Sequence, residues 1–564
     1  MLTPEAFTVL QARYLRDNET PEELFWRTAR FVAAAEERYG GNVEQVAAEF
    51  FALMSSLTFL PNSPTLMNAG KPGAQLAACF VLPIEDSLEG IFETLKSTAL
   101  IHQSGGGTGF SFSRIRPQGD KIAIGGKASG PVSFMGIFDA ATEVVRQGAV
   151  RRGANMAVLR VDHPDIRQFI AAKQQLQVLN NFNLSVGVTN NFMNAVCNGM
   201  PFDLINPRTQ LPVETIQAKE LFQQLVDMAW LNGEPGLFFL DTVNEANPTP
   251  QLGEFEAPNP CSEQPLLPFE SCVLGSINLT SMIQQKGGNK EVDFDKLGRT
   301  IDRAVRFLDD VIDVNTYPLT AVAQATLQTR KIGLGIMGLA DLFIQLDIAY
   351  ASLAAVKLTA YLMKFVTDRA RQASSQLADS RGVFPAWSAS VFGGRQQFMR
   401  NATVTTIAPT GTISILANCS GGIEPLFGLA VSRRALDGEI LRSVNPVVMA
   451  YLAERNLLTS QISDDIVTTG TIEHSDLPDH VKKVLVTAHD ISPLWHVRQL
   501  AAAQQHTDNG VSKTVNLPAE ATHDDVATVF IEAWQRGCKG VTVYRDGSRK
   551  LQVLTSGVKT CPIC

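Results

Sequence analysis

Over residues 1–60 the apolar positions recur at helical spacing. Leu24, Phe25, Phe31, Val32 and Ala35 fall on one face together with Thr28. Thr20-Pro21-Glu22-Glu23 stands ahead of them as a start signal, with Thr20 as N-cap, Pro21 in the first turn and Glu23 completing a capping box. Pro61-Asn62-Ser63-Pro64 ends this texture. From 61 to 545, short β-rich runs (79–82, 157–161, 182–188, 403–407) alternate with longer amphipathic ones (87–102, 219–231, 294–314, 354–379). That alternation predicts an α/β body, with a mostly parallel sheet or barrel inside and helices outside. Residues 546–564 carry Gly, Ser and Lys with few apolar anchors, which predicts a mobile tail.

Composition narrows the function classes. Hydrophobic residues make up 45% and charged residues 18%, enough for a large core and too apolar for global disorder. The net charge of −8, from 48 basic and 56 acidic residues, speaks against a nucleic-acid polymer as partner and leaves room for a local phosphate pocket. The best apolar stretch, 332–356, is interrupted by Asp341, Gln345 and Asp347, so no membrane span is expected. Charged residues appear by Arg16 with no signal-peptide block, which implies a cytoplasmic location and reduced thiols. The eight cysteines then read as buried, catalytic or redox groups. Cys561 and Cys564 form a C-x-x-C pair with no second pair and no histidine at ligand spacing, so no metal site is expected.

The most informative segment is Asn259-Pro260-Cys261-Ser262-Glu263-Gln264, with Cys272 eleven residues after Cys261. Its proline, Pro260, with Pro258, Pro265 and Pro268, excludes helix. In extended chain, Asn259, Cys261 and Glu263 would face one way. They make a compact set of amide, thiol and carboxylate suited to hydrogen bonding, radical or nucleophilic chemistry and proton transfer. The same spacing also suits a plain loop with a buried thiol and a solvated carboxylate. Gly105-Gly106-Gly107-Thr108-Gly109 reads as a turn more readily than as a phosphate cradle, and it lacks the Lys-Ser/Thr ending of a P-loop. A strand over 403–407 running into Pro409-Thr410-Gly411 would aim backbone N–H groups at an anion.

Asn-Pro-Cys-x-Glu followed by Glu270-Ser271-Cys272-Val273-Leu274-Gly275-Ser276-Ile277-Asn278 resembles the finger-loop signature of ribonucleotide reductase large subunits. Three further motifs agree in order. These are Cys79 within Leu76-Ala77-Ala78-Cys79-Phe80, the run Asp86-Ser87-Leu88-Glu89-Gly90, and Ala408-Pro409-Thr410-Gly411-Thr412-Ile413-Ser414. The resemblance covers about residues 10–550 and implies a ten-stranded α/β barrel of two five-stranded halves, preceded by a small helical region, with Cys261 on a central loop. It implies that Cys261 forms a thiyl radical, Glu263 acts as base, Asn259 holds the substrate hydroxyls, and Cys79 and Cys272 end as a disulfide. Substrate contacts are implied for Ser63, Thr65, Ala78, Gly107, Pro409, Thr410, Gly411, Thr412 and Ile413. Specificity-effector contacts are implied for Asp86, Ser87, Arg116 and Lys121. Residues 147–157, with Arg151 and Arg152, correspond to the loop that couples effector to base choice.

The resemblance extends to a class. There is no Tyr-Tyr pair, Tyr544 is the one tyrosine in the last hundred residues, and no C-terminal Gly-Tyr radical motif is present. His506–Lys513 and Gly540–Arg549 are similar to the adenosylcobalamin-dependent type, which implies adenosylcobalamin as cofactor. The family likeness further implies a homodimer through helices at 87–102 and 132–145, deoxynucleotide or ATP effectors, and a thioredoxin-like reductant acting through Cys561 and Cys564. It also implies that the ATP-cone domain of many relatives is missing. The alternatives are an oxygen-dependent large subunit needing a radical-generating partner, or a non-catalytic nucleotide-binding relative.

Overall fold

The structure is a computed structural model that describes residues 2–122, 125–146, 153–175, 178–435, 439–549 and 554–557. Two runs of five parallel strands, set antiparallel to each other, form a barrel. The first run is β1 (Cys79–Val81), β2 (Gly107–Ser111), β3 (Asn155–Arg160), β4 (Phe182–Val188) and β5 (Gly236–Phe239), each pairing in parallel with the next. The second is β6 (Ser271–Asn278), β7 (Ile332–Met337), the extended stretch 403–407, β8 (Thr514–Leu517) and β9 (Gly540–Arg545). The halves meet at two antiparallel seams, β1 with β6 and β5 with β9. All eight positions of β6 are buried, as expected for a strand covered on both faces.

The stretch 403–407 pairs only through isolated bridges. Side chains supplement the main-chain hydrogen bonds there: Asp508 Oδ2 accepts from Val404 N at 2.8 Å, and Asn509 Nδ2 joins Asn509 N in donating to Thr405 O, each at 3.0 Å. The backbone is therefore satisfied without a regular ladder.

The N-terminal region contains α1 (Pro4–Arg13), α2 (Pro21–Ala33) and α3 (Val43–Ser55). The Thr20–Glu23 capping box forms as the sequence predicts. Leu24, Phe25, Thr28, Val32 and Ala35 are buried, while Phe31 is half-buried. An ionic network ties this region to the barrel. Glu36 accepts from Arg306 at 2.6 Å and Arg381 at 2.5 Å, and Arg381 also meets Asp309 and Asp310. Each of these charges is compensated, without which burial would be costly.

Helices α4 (Leu88–Gln103) and α5 (Pro131–Arg146) cover the first half-barrel, and α6 (Phe294–Val314) the second. No helix among the described residues is long and apolar enough to cross a membrane. Leu554–Ser556 differs from the expected unanchored tail: it is a strand on Val431–Arg433, and Gly557 N donates to Ala430 O at 2.9 Å. Its backbone hydrogen bonds supply the anchor that its side-chain composition does not advertise.

Candidate active site

Residues 257–266 form a narrow hairpin. Ala257–Pro258 pairs antiparallel with Pro265–Leu266, and the prolines, which lack N–H groups, keep that ladder to two residues. The tip is closed by Asn259 N to Gln264 O at 3.1 Å, Ser262 N to Asn259 O at 3.0 Å and Gln264 N to Asn259 Oδ1 at 2.9 Å. Ser262 takes a left-handed φ of 64°, which turns the chain between Cys261 and Glu263. Side-chain convergence thus comes from a turn, and not from the strand-like alternation expected of extended chain.

The hairpin is buttressed on two sides. A Cβ on Gly109 would lie 1.8 Å from Pro258 O, and one on Gly107 would lie 3.0 Å from Pro260 Cγ. Those glycines let strand β2 approach the finger backbone, a close-approach use that the sequence reading of the cluster did not include. On the other side, Glu263 O accepts from Thr406 Oγ1 at 2.7 Å and from Gly510 N at 2.8 Å. A Cβ on Gly510 would sit 2.5 Å from Ser262 O. Thr406 and Gly510 lie in stretches the sequence singles out, but their contact with the finger is not legible there because it spans more than a hundred residues of chain.

Asn259, Glu263 and Cys79 are buried, while Cys261 is exposed at the tip. Asn259 Nδ2 donates to Cys79 Sγ at 3.0 Å, and the Cys79 thiol reaches Glu263 Oε1 at 3.9 Å. Cys272 stands opposite Cys79 across the β1–β6 seam and is fully buried. Burial pushes the Cys272 thiol well above its ordinary pKa, and the nearby Lys331 ammonium opposes this only in part. That sulfur is held as a thiol. Met156, Val158, Phe238, Phe255 and Leu274 pack around both cysteines as an apolar cluster distinct from the main core.

A cavity of about 280 Å³ opens at this end of the barrel. Its lining includes Ser63, Ala78, Cys79, Gly107, Asn259, Cys261 and Glu263, and also Pro409, Thr410, Gly411, Thr412 and Ile413. Ser63 Oγ is hydrogen-bonded to Tyr14 OH at 2.8 Å, so helix α1 helps set this wall. Thr65 does not line the cavity. As the third residue of the short helix Ser63–Asn68, it turns its hydroxyl inward to Asn62 Oδ1 at 2.5 Å and Leu76 O at 3.1 Å. The hydroxyl braces the helix start, where Asn62 is the N-cap and its Oδ1 also accepts from Thr65 N.

The expected effector residues lie elsewhere. Asp86 and Arg116 come together, but with each other: Arg116 Nε donates to Asp86 Oδ2 at 2.9 Å. Ser87 caps α4 by accepting from Gly90 N at 3.0 Å. Lys121 is exposed on a turn bridged to Lys127. Cys561, Cys564, Arg151 and Arg152 fall outside the described residues. Among the described residues no group of three or more His, Cys, Asp or Glu side chains could hold a metal ion. Cys261 is the exposed member of the set, on the wall of the cavity, where a docked group can reach it.

Residues 77–544 match the family description "Ribonucleotide reductase, barrel domain" and residues 1–74 match "Ribonucleotide reductase, all-alpha domain". A protein of Thermoplasma acidophilum, named vitamin B12-dependent ribonucleoside-diphosphate reductase, is 51% identical over 546 residues, covering 96% of this chain and 70% of that protein. A protein of the same name from Mycobacterium tuberculosis strain H37Rv is 49% identical over 564 residues, covering 98% of this chain and 79% of that one. Among solved structures, the class Id ribonucleotide reductase alpha subunit of Actinobacillus ureae superposes with a TM-score of 0.79 at 25% identity, covering 97% of both chains. The likeness thus extends over nearly the whole length, and the chain belongs to the ribonucleotide reductase family.

Proposed function

We propose that the chain is a cytoplasmic, adenosylcobalamin-dependent ribonucleoside-diphosphate reductase that supplies DNA precursors. The observation that carries this reading is the convergence of Cys79, Asn259, Cys261 and Glu263 on one cavity with the 409–413 loop. A non-catalytic binding relative would have no chemical use for that set together with Cys272.

With the nucleotide's phosphates against 409–413 and Ser63, its ribose reaches the finger tip. The Cys261 sulfur radical takes the 3′-hydrogen, and Glu263 accepts the 3′-hydroxyl proton. Asn259 holds the hydroxyls in place. Water then leaves from C2′. Cys79 and Cys272 together supply two electrons and two protons, becoming a disulfide, and Cys261 returns hydrogen to C3′. The apolar cluster around the pair keeps water away from these species.

When bound, adenosylcobalamin supplies the initiating radical by homolysis of its cobalt–carbon bond. Cys261 and Ser262 would border it, with the His506–Lys513 segment packed beneath them through Gly510. A thioredoxin-like dithiol would regenerate the buried pair by exchange through Cys561 and Cys564.

A homodimer is supported by apolar exposure on the two helices over the first half-barrel. Leu88, Phe92 and Leu100 of α4 and Ile137 and Val144 of α5 are exposed, Leu88 at 65% and Val144 at 70%. The Asp86–Arg116 pair at the start of α4 would open to take an effector phosphate, for which the guanidinium fork is suited.

The test is reduction of CDP by purified protein with dithiothreitol, without oxygen, with and without adenosylcobalamin. Deoxycytidine diphosphate should form only with the cofactor. Activity that needs a separate di-metal subunit instead would overturn the cofactor assignment.

A further inference from the structure

The 409–413 loop borders a second cavity on the side away from the finger. This cavity, of about 520 Å³, is walled by α1 and by residues of 418–433 and 441–446, with Leu554. Pro409, Gly411 and Thr412 line both cavities. Open space adjoins Gly411, where a Cβ would meet nothing within 4 Å. Two arginines reach the loop from the second side. Arg433 Nη1 donates to Gly411 O at 2.8 Å, and Arg13 Nη1 donates to Thr412 Oγ1 at 3.5 Å.

Neither guanidinium has a carboxylate within ion-pair distance among the described residues. Of the two carboxylates in the lining, Glu424 is held by Lys513 Nζ at 2.7 Å, and Glu5 pairs with neither arginine. Burial alone shifts Arg433, downward, with no opposing charge. A part-buried cation without a counter-charge is unfavourable, and a fork of N–H donors beside a hydroxyl- and glycine-rich loop matches a phosphate. The charges stand out in a chain whose net charge is −8.

We propose that Arg433 and Arg13 form a distal-phosphate subsite, meeting the terminal phosphate of the substrate where it passes Gly411 and favouring nucleoside diphosphate over monophosphate. This rests on the reading of 409–413 as the substrate's phosphate loop. The two positive charges act on the end of the phosphate chain, so they discriminate nucleoside diphosphate from monophosphate and leave the ribose chemistry to the finger loop.

The test measures dissociation constants and KM values for CMP and CDP in the full chain, its Arg433→Met, Arg13→Met and Arg433→Lys variants. Arg433→Met should weaken CDP at least tenfold and CMP less than twofold, and Arg433→Lys should recover part of the CDP affinity. Arg13→Met should act in the same direction, more weakly, because its side chain is the more exposed. Equal weakening of CMP and CDP would mean that Arg433 merely braces the loop through Gly411 O, and would overturn the proposal, as would unchanged CDP affinity in both Met variants. Failure of the wild-type chain to bind CDP at all would sink the phosphate-loop reading itself, and this subsite with it.

Discussion

Cys79 and Cys272 are direct partners across the antiparallel seam that joins the two half-barrels. Residues so placed have Cα atoms about 4.5–5.5 Å apart, within the span a disulfide bridges. The finger hairpin then sets Asn259 and Glu263 against the Cys79 side of the pair.

This placement predicts that one turnover without reductant oxidises the pair. Peptide mapping should find Cys79 linked to Cys272, and Cys272→Ser should limit product to less than one equivalent per site. Both cysteines remaining reduced while deoxynucleotide accumulates would remove them from the electron path.

Gly109 should tolerate no side chain. The methyl of Gly109→Ala would have to displace the Pro258 carbonyl, and with it Asn259, whose Cα lies 3.4 Å from the added carbon. Misplacing a catalytic group by about 1 Å costs on the order of 100-fold in rate. Gly394→Ala, where a methyl meets nothing within 4 Å, is the matched control. Wild-type turnover by Gly109→Ala would show that the finger is not held by this contact.

His102 links α4 to the barrel, its Nε2 lying 3.0 Å from Thr108 Oγ1, which in turn donates to Asn155 Oδ1 at 2.8 Å. Burial pushes its pKa from 6.5 down to about 4. The folded state therefore binds fewer protons than the unfolded chain in that window. The associated stability is present above 6.5 and is lost as pH falls towards 4. Between pH 7 and pH 5 this residue should remove about 2 kcal/mol. Urea denaturation of wild type and His102→Gln at the two pH values checks it: the variant should lose that much less. Equal losses would contradict the assignment.

The parts of the fold that depend on local sequence were legible. The capping box at Thr20, helix 294–314 and strand 182–188 appear at the expected places, because caps and periodicity act within a few residues. What required the fold was what depends on distant backbone. The glycine cluster reads as a turn or a cradle until Pro258 O is seen against Gly109. Thr65 reads as a substrate hydroxyl until Leu76 O accepts from it. Arg13 and Arg433, 420 residues apart in the chain, carry no motif and meet only across the loop between them. The tail strand is likewise set by main-chain pairing with Val431–Arg433, to which composition is blind.

The central claim is that the Cys261 sulfur exchanges hydrogen with a radical source docked at the finger tip. Adenosylcobalamin labelled with tritium at its 5′ carbon tests it most directly, incubated with the protein, an effector and a dithiol in the absence of substrate. The account predicts tritium release into water by wild type and none by Cys261→Ser, which keeps its nucleotide affinity. Equal release by both proteins, or none by a wild type that still reduces CDP with this cofactor, would contradict it.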